Sequence, residues 1–229
     1  MAEQQQTLTV QQAIDLAVQH HTAGRLSQAE NIYQQILQND PNQPVALHLL
    51  GVLAHQAGKN DIAVDRITRA LDLKPDYAIA HSNLLIAEQY RTGHNAETLF
   101  ELHCEWDERH GRVFRAAWPQ YQNVPDIDRR LRVGFVSPDL GRHPVGYFAV
   151  GLLENLRKTE IETFVYSDRR ADDLTERIKD ATAVWRSIYG LPDEKLTKTI
   201  LNDEIDILIE LSGHSAKNRL LVFARKPAP

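Results

Sequence analysis

Cysteine is almost absent: Cys104 is the only one in 229 residues. A single thiol cannot close an intramolecular disulfide, and it excludes a structural zinc site built from several thiolates. A reducing compartment fits that usage, and the expected location is cytoplasmic. Cys104 has no evident acid–base partner and reads as a packing residue. Long apolar runs are also missing. No stretch approaches the ~18 unbroken apolar residues that a membrane span requires, and "MAEQQQTLTV" has neither the basic nor the apolar region of a secretory leader. No membrane partner is expected. Nor is there an excess of positive charge: 26 Lys and Arg against 31 Asp and Glu leave a net charge of −5, so no nucleic-acid partner is expected either. The local cluster Arg129, Arg130 and Arg132 reads as a solvated charged segment before a strand. Neither G-x-G-x-x-G nor G-x-x-x-x-G-K-[ST] occurs, which leaves a dinucleotide fingerprint or P-loop unsupported.

What is present begins with a repeat. At a shift of 34 residues Gly24 aligns with Gly58, Ala29 with Ala63, Leu37 with Leu71 and Pro41 with Pro75. That is the tetratricopeptide period. Small Ala29 and Ala63 allow paired helices to approach closely, and apolar positions recur on one helical face. Helices are expected at 10–22, 27–39, 44–57 and 61–73. Thr9–Gln12 and Ser27–Glu30 read as capping boxes, Asn60 and Asp76 as N-caps, and Pro41 and Pro75 as stops. A third unit starts at Asp76 and drifts into "HNAETLFELHCEWDERHGRVF", read as one long capping helix with Leu99, Phe100, His103 and Trp106 on a shared face. His20, His21, His48, His55, His81 and His103 lack the spacing of a ligand set and read as surface or packing residues; no metal is expected.

After residue 118 the composition changes. "WPQYQNVPDIDRR" has no helical period and reads as a linker. Apolar, β-branched runs follow at 131–137, 161–167 and 205–212, alternating with helical segments near 145–157, 172–181, 192–202 and 217–224. The pattern means a parallel sheet with helices on its faces. The fold class is therefore α + α/β: repeats with a capping helix over 1–118, a linker over 119–130, and an α/β lobe over 131–229. In such sheets the ligand crevice lies beyond the carboxyl ends of the strands. The loops to watch are "SPDLGRHPVG", "SDRRADD" and "SGHSAKNR", which carry His143 and His214, with Gly141, Gly146 and Gly213 permitting close backbone approach. A three-strand sheet would keep an open edge, a physical reason to expect a truncated chain.

The segments "AHSNLLIAEQY", "LFELHCEWDERHG", "RLRVGFVSPDLGRHPVGYF" and "DILIELSGHSAKNRLLVFARKPAP" span most of residues 78–229. In order and spacing they resemble the bacterial, tetratricopeptide-containing protein O-linked N-acetylglucosamine transferases. The resemblance implies a GT-B glycosyltransferase with two Rossmann-like halves, of which this chain carries only the first. It implies inverting transfer of N-acetylglucosamine from UDP-N-acetylglucosamine to a serine or threonine of a protein, with no metal or other cofactor. It implies catalytic roles for His143 and His214, and substrate contacts from Asp139, Gly141, Pro144, Ser212 and Gly213. The partners it implies are a protein or peptide acceptor, met through the repeats, and a UDP-sugar once the second lobe is supplied. Three positions depart from relatives: Asp206 stands where some carry histidine and is read as structural, Tyr147 replaces a histidine of animal members, and His214 stands where those members have tyrosine. "RKPAP" falls where the family enters its next strand, so the chain is expected to be inactive alone. The other readings are a helical-repeat interaction module with a vestigial α/β lobe, and a small nucleotide-binding regulator.

Overall fold

The computed structural model describes residues 8–124, 126 and 128–229. Residues 1–7, and positions 125 and 127 of the expected linker, lie outside the described residues. Two compact units divide between Trp106 and Asp107.

The first unit is six antiparallel-paired helices: α1 (Val10–Thr22), α2 (Leu26–Asn39), α3 (Pro44–Gln56), α4 (Asn60–Leu73), α5 (Ala78–Gln89) and α6 (Ala96–Trp106). The repeat register is real. Fully buried Ala29 and Ala63 sit at equivalent places, with Tyr33 and Ile67 one turn further on. Thr9 and Gln12 form the expected capping box, Thr9 Oγ1 accepting from the Gln12 N–H at 3.2 Å and Gln12 Oε1 from the Thr9 N–H at 2.9 Å. The other expected caps are not caps. Ser27 lies inside α2, Asn60 inside α4, and Asp76 precedes the true cap, Tyr77. The reason at the first two is the preceding glycine: Gly24 and Gly58 take φ of 74° and 73°, and the following N–H groups of Arg25 and Lys59 close back on His20 O and Ala54 O. That turn fixes the next helix start without a side-chain cap.

The capping helix is shorter than expected. α6 ends at Trp106 and continues as a π turn (Asp107–Gly111) and a 3-10 segment (Arg112–Ala117). Trp106 is buried, its indole N–H reaching Ala78 O at 3.3 Å, whereas Phe100 is 69% exposed and off the shared face. Cys104 is exposed too, so it is no packing residue.

His48 is the one repeat histidine with a testable consequence. Asn83 Nδ2 donates to its Nε2 at 2.8 Å, which leaves Nδ1 to carry the proton toward Tyr77 Oη at 3.0 Å. Burial pushes its pKa down to about 4. A histidine held neutral in the folded state stabilises above its unfolded pKa near 6.5, and that stability is lost as pH falls toward 4. Acid unfolding of the repeats should therefore steepen across this window, at most by about 3 kcal/mol. A His48→Gln variant followed by circular dichroism should flatten the same stretch; an unchanged slope would remove His48 as the cause.

The second unit is a three-layer sandwich. Its strands are β1 (Leu131–Ser137), β2 (Ile161–Ser167), β3 (Val184–Ser187) and β4 (Ile207–Glu210), parallel throughout in the order β3-β2-β1-β4. β3 corrects the three-strand expectation: four residues, one of them Arg186, are too few to show alternation. Helices α7 (Pro144–Leu156) and α8 (Asp173–Asp180) cover one face against Val133, Phe135 and Val165. Helices α9 (Asp193–Asn202) and α10 (Leu220–Ala224) cover the other against Val136, Phe164 and Tyr166. This alternation along β1 and β2 is what period-2 side chains buried on both faces require.

Residues 107–118, grouped by periodicity with the repeats, lie in the second unit. The Trp118 indole N–H donates to Ala224 O at 2.9 Å, and Arg225 lies 4.0 Å from the Phe114 ring centre. The expected linker is laced to that unit as well, Tyr121 Oη donating to Lys226 O at 2.8 Å and Asn123 Nδ2 to Asp206 Oδ1 at 2.6 Å.

Candidate functional site

The chain leaves β1 for β2 and β3 on one side, then returns to place β4 on the other. The connections after β1 and β4 therefore leave in opposite directions, which makes the carboxyl edge between these two strands the switch point where such sheets bind ligands. Ser137 ends β1, and its Oγ lies 3.4 Å from Ser212 Oγ beyond β4 while accepting the Asp139 N–H at 3.0 Å. That contact joins the two loops in which the candidate residues lie.

In the first loop Leu140 is driven into the α7–α8 core, and its carbonyl accepts from Thr175 Oγ1 at 3.1 Å. The backbone on either side turns sharply: Gly141 N–H reaches Asp139 O at 2.9 Å and His143 N–H reaches Gly141 O at 2.6 Å. Arg142 fastens the loop outward, its N–H on Asp172 and its guanidinium on both oxygens of Asp173. Pro144 is the first residue of α7, where a missing N–H costs nothing. His143 is the N-cap, its Nδ1 accepting the Val145 N–H at 3.3 Å. With Nδ1 engaged as acceptor, the neutral ring carries its proton on Nε2, so His143 offers a donor to the crevice. Asp139 Oδ1 is 3.8 Å from His143 Nδ1, beyond hydrogen-bond range.

The loop after β4 behaves as a strap. Glu210, at the end of β4, folds one carboxyl oxygen back to accept the Ser212 N–H at 2.6 Å and the Gly213 N–H. Gly213 takes φ of 56°, which lets the chain turn there. Burial pushes the Glu210 carboxyl up and the neighbouring Asp139 charge adds to this, against the two N–H bonds. Its other oxygen, Oε1, is buried without a hydrogen-bond partner. His214 follows, half-buried. The strap is tied down again at Arg219, which reaches Asp168 after β2 at 2.7 and 3.0 Å and Asp193 at the start of α9 at 2.7 Å. The strap thus crosses the sheet from β4 past β1 and β2, and His214 lies between its anchors.

The structure therefore gathers Asp139, Gly141, His143 and Pro144 on one lip, and Ser212, Gly213 and His214 on the other. Sequence reasoning did not single out Glu210, Asp168 or Arg219. A carboxylate interrupting the apolar run "IDILIELS" was the available signal for Glu210. Asp206 lies at the opposite end of β4, gripped by the Arg129 guanidinium, the Arg132 N–H and Asn123, and Arg129 holds its carboxyl down at about 2. Arg129 is accordingly ion-paired to Asp206, and the Arg132 guanidinium to Glu204 at 2.8 Å and Glu162 at 3.4 Å, so neither is merely solvated. Tyr147 is exposed on the first turn of α7. Among the described residues, no helix is long and apolar enough to cross a membrane.

Comparison with known proteins places this geometry. Residues 20–85 match a tetratricopeptide repeat family, and residues 108–229 match glycosyl transferase family 41. A barley (Hordeum vulgare) protein described as a probable UDP-N-acetylglucosamine–peptide N-acetylglucosaminyltransferase, SPINDLY, is 36% identical over 162 residues, covering 69% of this chain and 17% of its own length. The Arabidopsis thaliana protein of the same description is 36% identical over 165 residues, covering 69% and 18%. A solved mutant of the Thermobaculum terrenum O-GlcNAc transferase superposes with a TM-score of 0.72 at 30% identity, covering 96% of this chain and 49% of that one. The chain thus spans under a fifth of the curated relatives and about half of the solved one. With the matched segment taking in the whole sheet, both lips of the crevice and the strap, the chain belongs to glycosyl transferase family 41.

Proposed function

We propose that this chain carries the repeat array and the first Rossmann-like lobe of a cytoplasmic protein O-glycosyltransferase. The reaction is inverting transfer of N-acetylglucosamine from UDP-N-acetylglucosamine to a serine or threonine hydroxyl, without a metal. The observation that carries this reading is that the loops bearing His143 and His214 follow the neighbouring parallel strands β1 and β4 and meet at the Ser137–Ser212 contact, inside the segment that matches the family. Inversion needs a hydroxyl held in line with the anomeric carbon and donors placed where charge develops. His143, as a neutral Nε2–H donor fixed by the start of α7, suits holding an oxygen of the sugar or acceptor; it is not set up to take the hydroxyl proton through that nitrogen. Asp139, Gly141 and Pro144 shape that lip, and Ser212 and Gly213 set the backbone below His214. The repeats offer the surface for the acceptor polypeptide. A diphosphate needs stabilisation that this single wall does not provide, so the 229-residue chain is expected not to turn over by itself.

The test is a chimera in which residues 108–229 replace the matching segment of the Thermobaculum terrenum enzyme. Sugar transfer to a peptide should survive, and His143→Ala in the chimera should lower kcat about 10²-fold with the fold intact. A chimera that unfolds cooperatively yet transfers nothing, or an alanine variant with full kcat, contradicts the reading.

A further inference from the structure

We propose that Arg170, Tyr189 and Lys217 form a docking site for a carboxylate-rich stretch of polypeptide on the rim of the crevice. Three loops converge there, those after β2, β3 and β4. The Arg170 guanidinium lies 5.8 Å from the centre of the Tyr189 ring, and the Lys217 ammonium lies 5.9 Å from the same centre. Tyr189 is 52% exposed, and both cations are on the surface. Lys217 holds φ of 62°, a left-handed conformation that non-glycine residues adopt sparingly, in the turn that aims it at the ring.

The charge pattern on the rim sets these two cations apart. Arg142 is matched by Asp173, Arg169 by Asp172, and Arg219 by Asp168 and Asp193. Arg170 and Lys217 have no carboxylate partner among the described residues. Both lie within 6 Å of the centre of one aromatic ring, where cation–π attraction holds them instead of an anion. An incoming carboxylate gains two cations without displacing an existing ion pair, and the exposed ring offers a flat apolar surface to the methylenes of glutamate.

The chemistry favours carboxylates over a diphosphate. Among the described residues no glycine-rich turn leads into a helix N-terminus beside Tyr189, the cradle of N–H groups that a diphosphate asks for, and α9, the next helix, opens on Asp193 and Glu194. Exposed cations instead suit weak pairings that accumulate along an extended acidic segment. Glu210 at the start of the strap and Asp139 on the facing lip carry negative charge, so an acidic segment is turned away from the β1/β4 lip and toward Tyr189. The inference rests on the acceptor reading above and gives it a substrate class: sites flanked by aspartate and glutamate.

The experiment is fluorescence anisotropy on the 229-residue chain at low salt. The probes are a short labelled peptide with a serine flanked by acidic residues, and its counterpart with asparagine and glutamine in their place. The double variant Arg170→Ala, Lys217→Ala should weaken the acidic peptide about 3–10-fold and leave the neutral one unchanged. Arg157→Ala, Lys158→Ala removes the same charge at the far end of α7 and should have little effect. Equal weakening by the two double variants, no weakening by the first, or displacement of the peptide by pyrophosphate more readily than by glutamate would each overturn the site. Because the readout is binding and not transfer, such a failure leaves the chimera test of the transferase reading untouched.

Discussion

Replacing Arg219 by leucine is expected to cost the α/β unit about 3 kcal/mol, a fall in its melting temperature of about 10 °C. The guanidinium is 14% exposed and the Asp168 side chain 10%, so this ion pair stands largely out of water. Three donor contacts run from one side chain to two carboxylates, joining the loop after β2, the start of α9 and the end of the strap. Removing the cation leaves Asp168 buried and uncompensated, the situation in which breaking an ion pair costs most; Asp193, at 26% exposed, recovers some hydration and lowers the total. Thermal unfolding monitored through Trp118 and Trp185 reports on this unit. Arg219→Lys keeps the charge but loses the fork, and should fall between. Pairing Arg219→Leu with Asp168→Asn should recover part of the loss, since the second change neutralises the stranded carboxylate. A drop under about 1 kcal/mol would mean that the pair is screened like a surface one.

Much of this architecture was legible because it rests on local signals. The repeat register follows from glycine, alanine and proline at fixed spacing, and β1 and β2 from continuous β-branched runs. β3 was illegible for the converse reason: Val184–Ser187 is a strand because Thr163 and the β2 backbone receive it and because Arg186 can reach Asp203, facts that four residues do not announce. The helix starts after Gly24 and Gly58 were misassigned to side-chain caps since sequence shows a serine or asparagine nearby, but not that a left-handed turn has already fixed the start. The site divides in the same way. His143 and His214 stand out as imidazoles in glycine-bearing loops after strands. Arg219 does not, because its role depends on carboxylates 51 and 26 residues away, and Glu210 does not, because its role depends on the backbone folding back over it.

The same reasoning about close approach yields a pair of substitutions with opposite signs in one helix. Gly146→Ala places a Cβ far inside contact distance of Gly141 O, 2.8 Å from Gly141 N and 3.0 Å from Asp139 O. These are backbone atoms, and they cannot step aside. Asp139 O and Gly141 O each accept a bond within the loop, Leu140 is locked in the core, and Pro144 fixes where α7 begins. The helix and the loop must therefore part, at about 3 kcal/mol, the upper end of overpacking costs. Gly151→Ala is the matched control: five residues along α7, with nothing within 4 Å of the added methyl, it should stabilise by about 0.5–1 kcal/mol. Because the loop that Gly146 admits is the one that presents His143, the destabilising variant should also shift the His143 ring resonances, whereas the stabilising one leaves them in place. If both alanines were tolerated alike, α7 would not be pressed against the loop, and the lip of the crevice would lack the rigidity that orienting a sugar or hydroxyl oxygen demands.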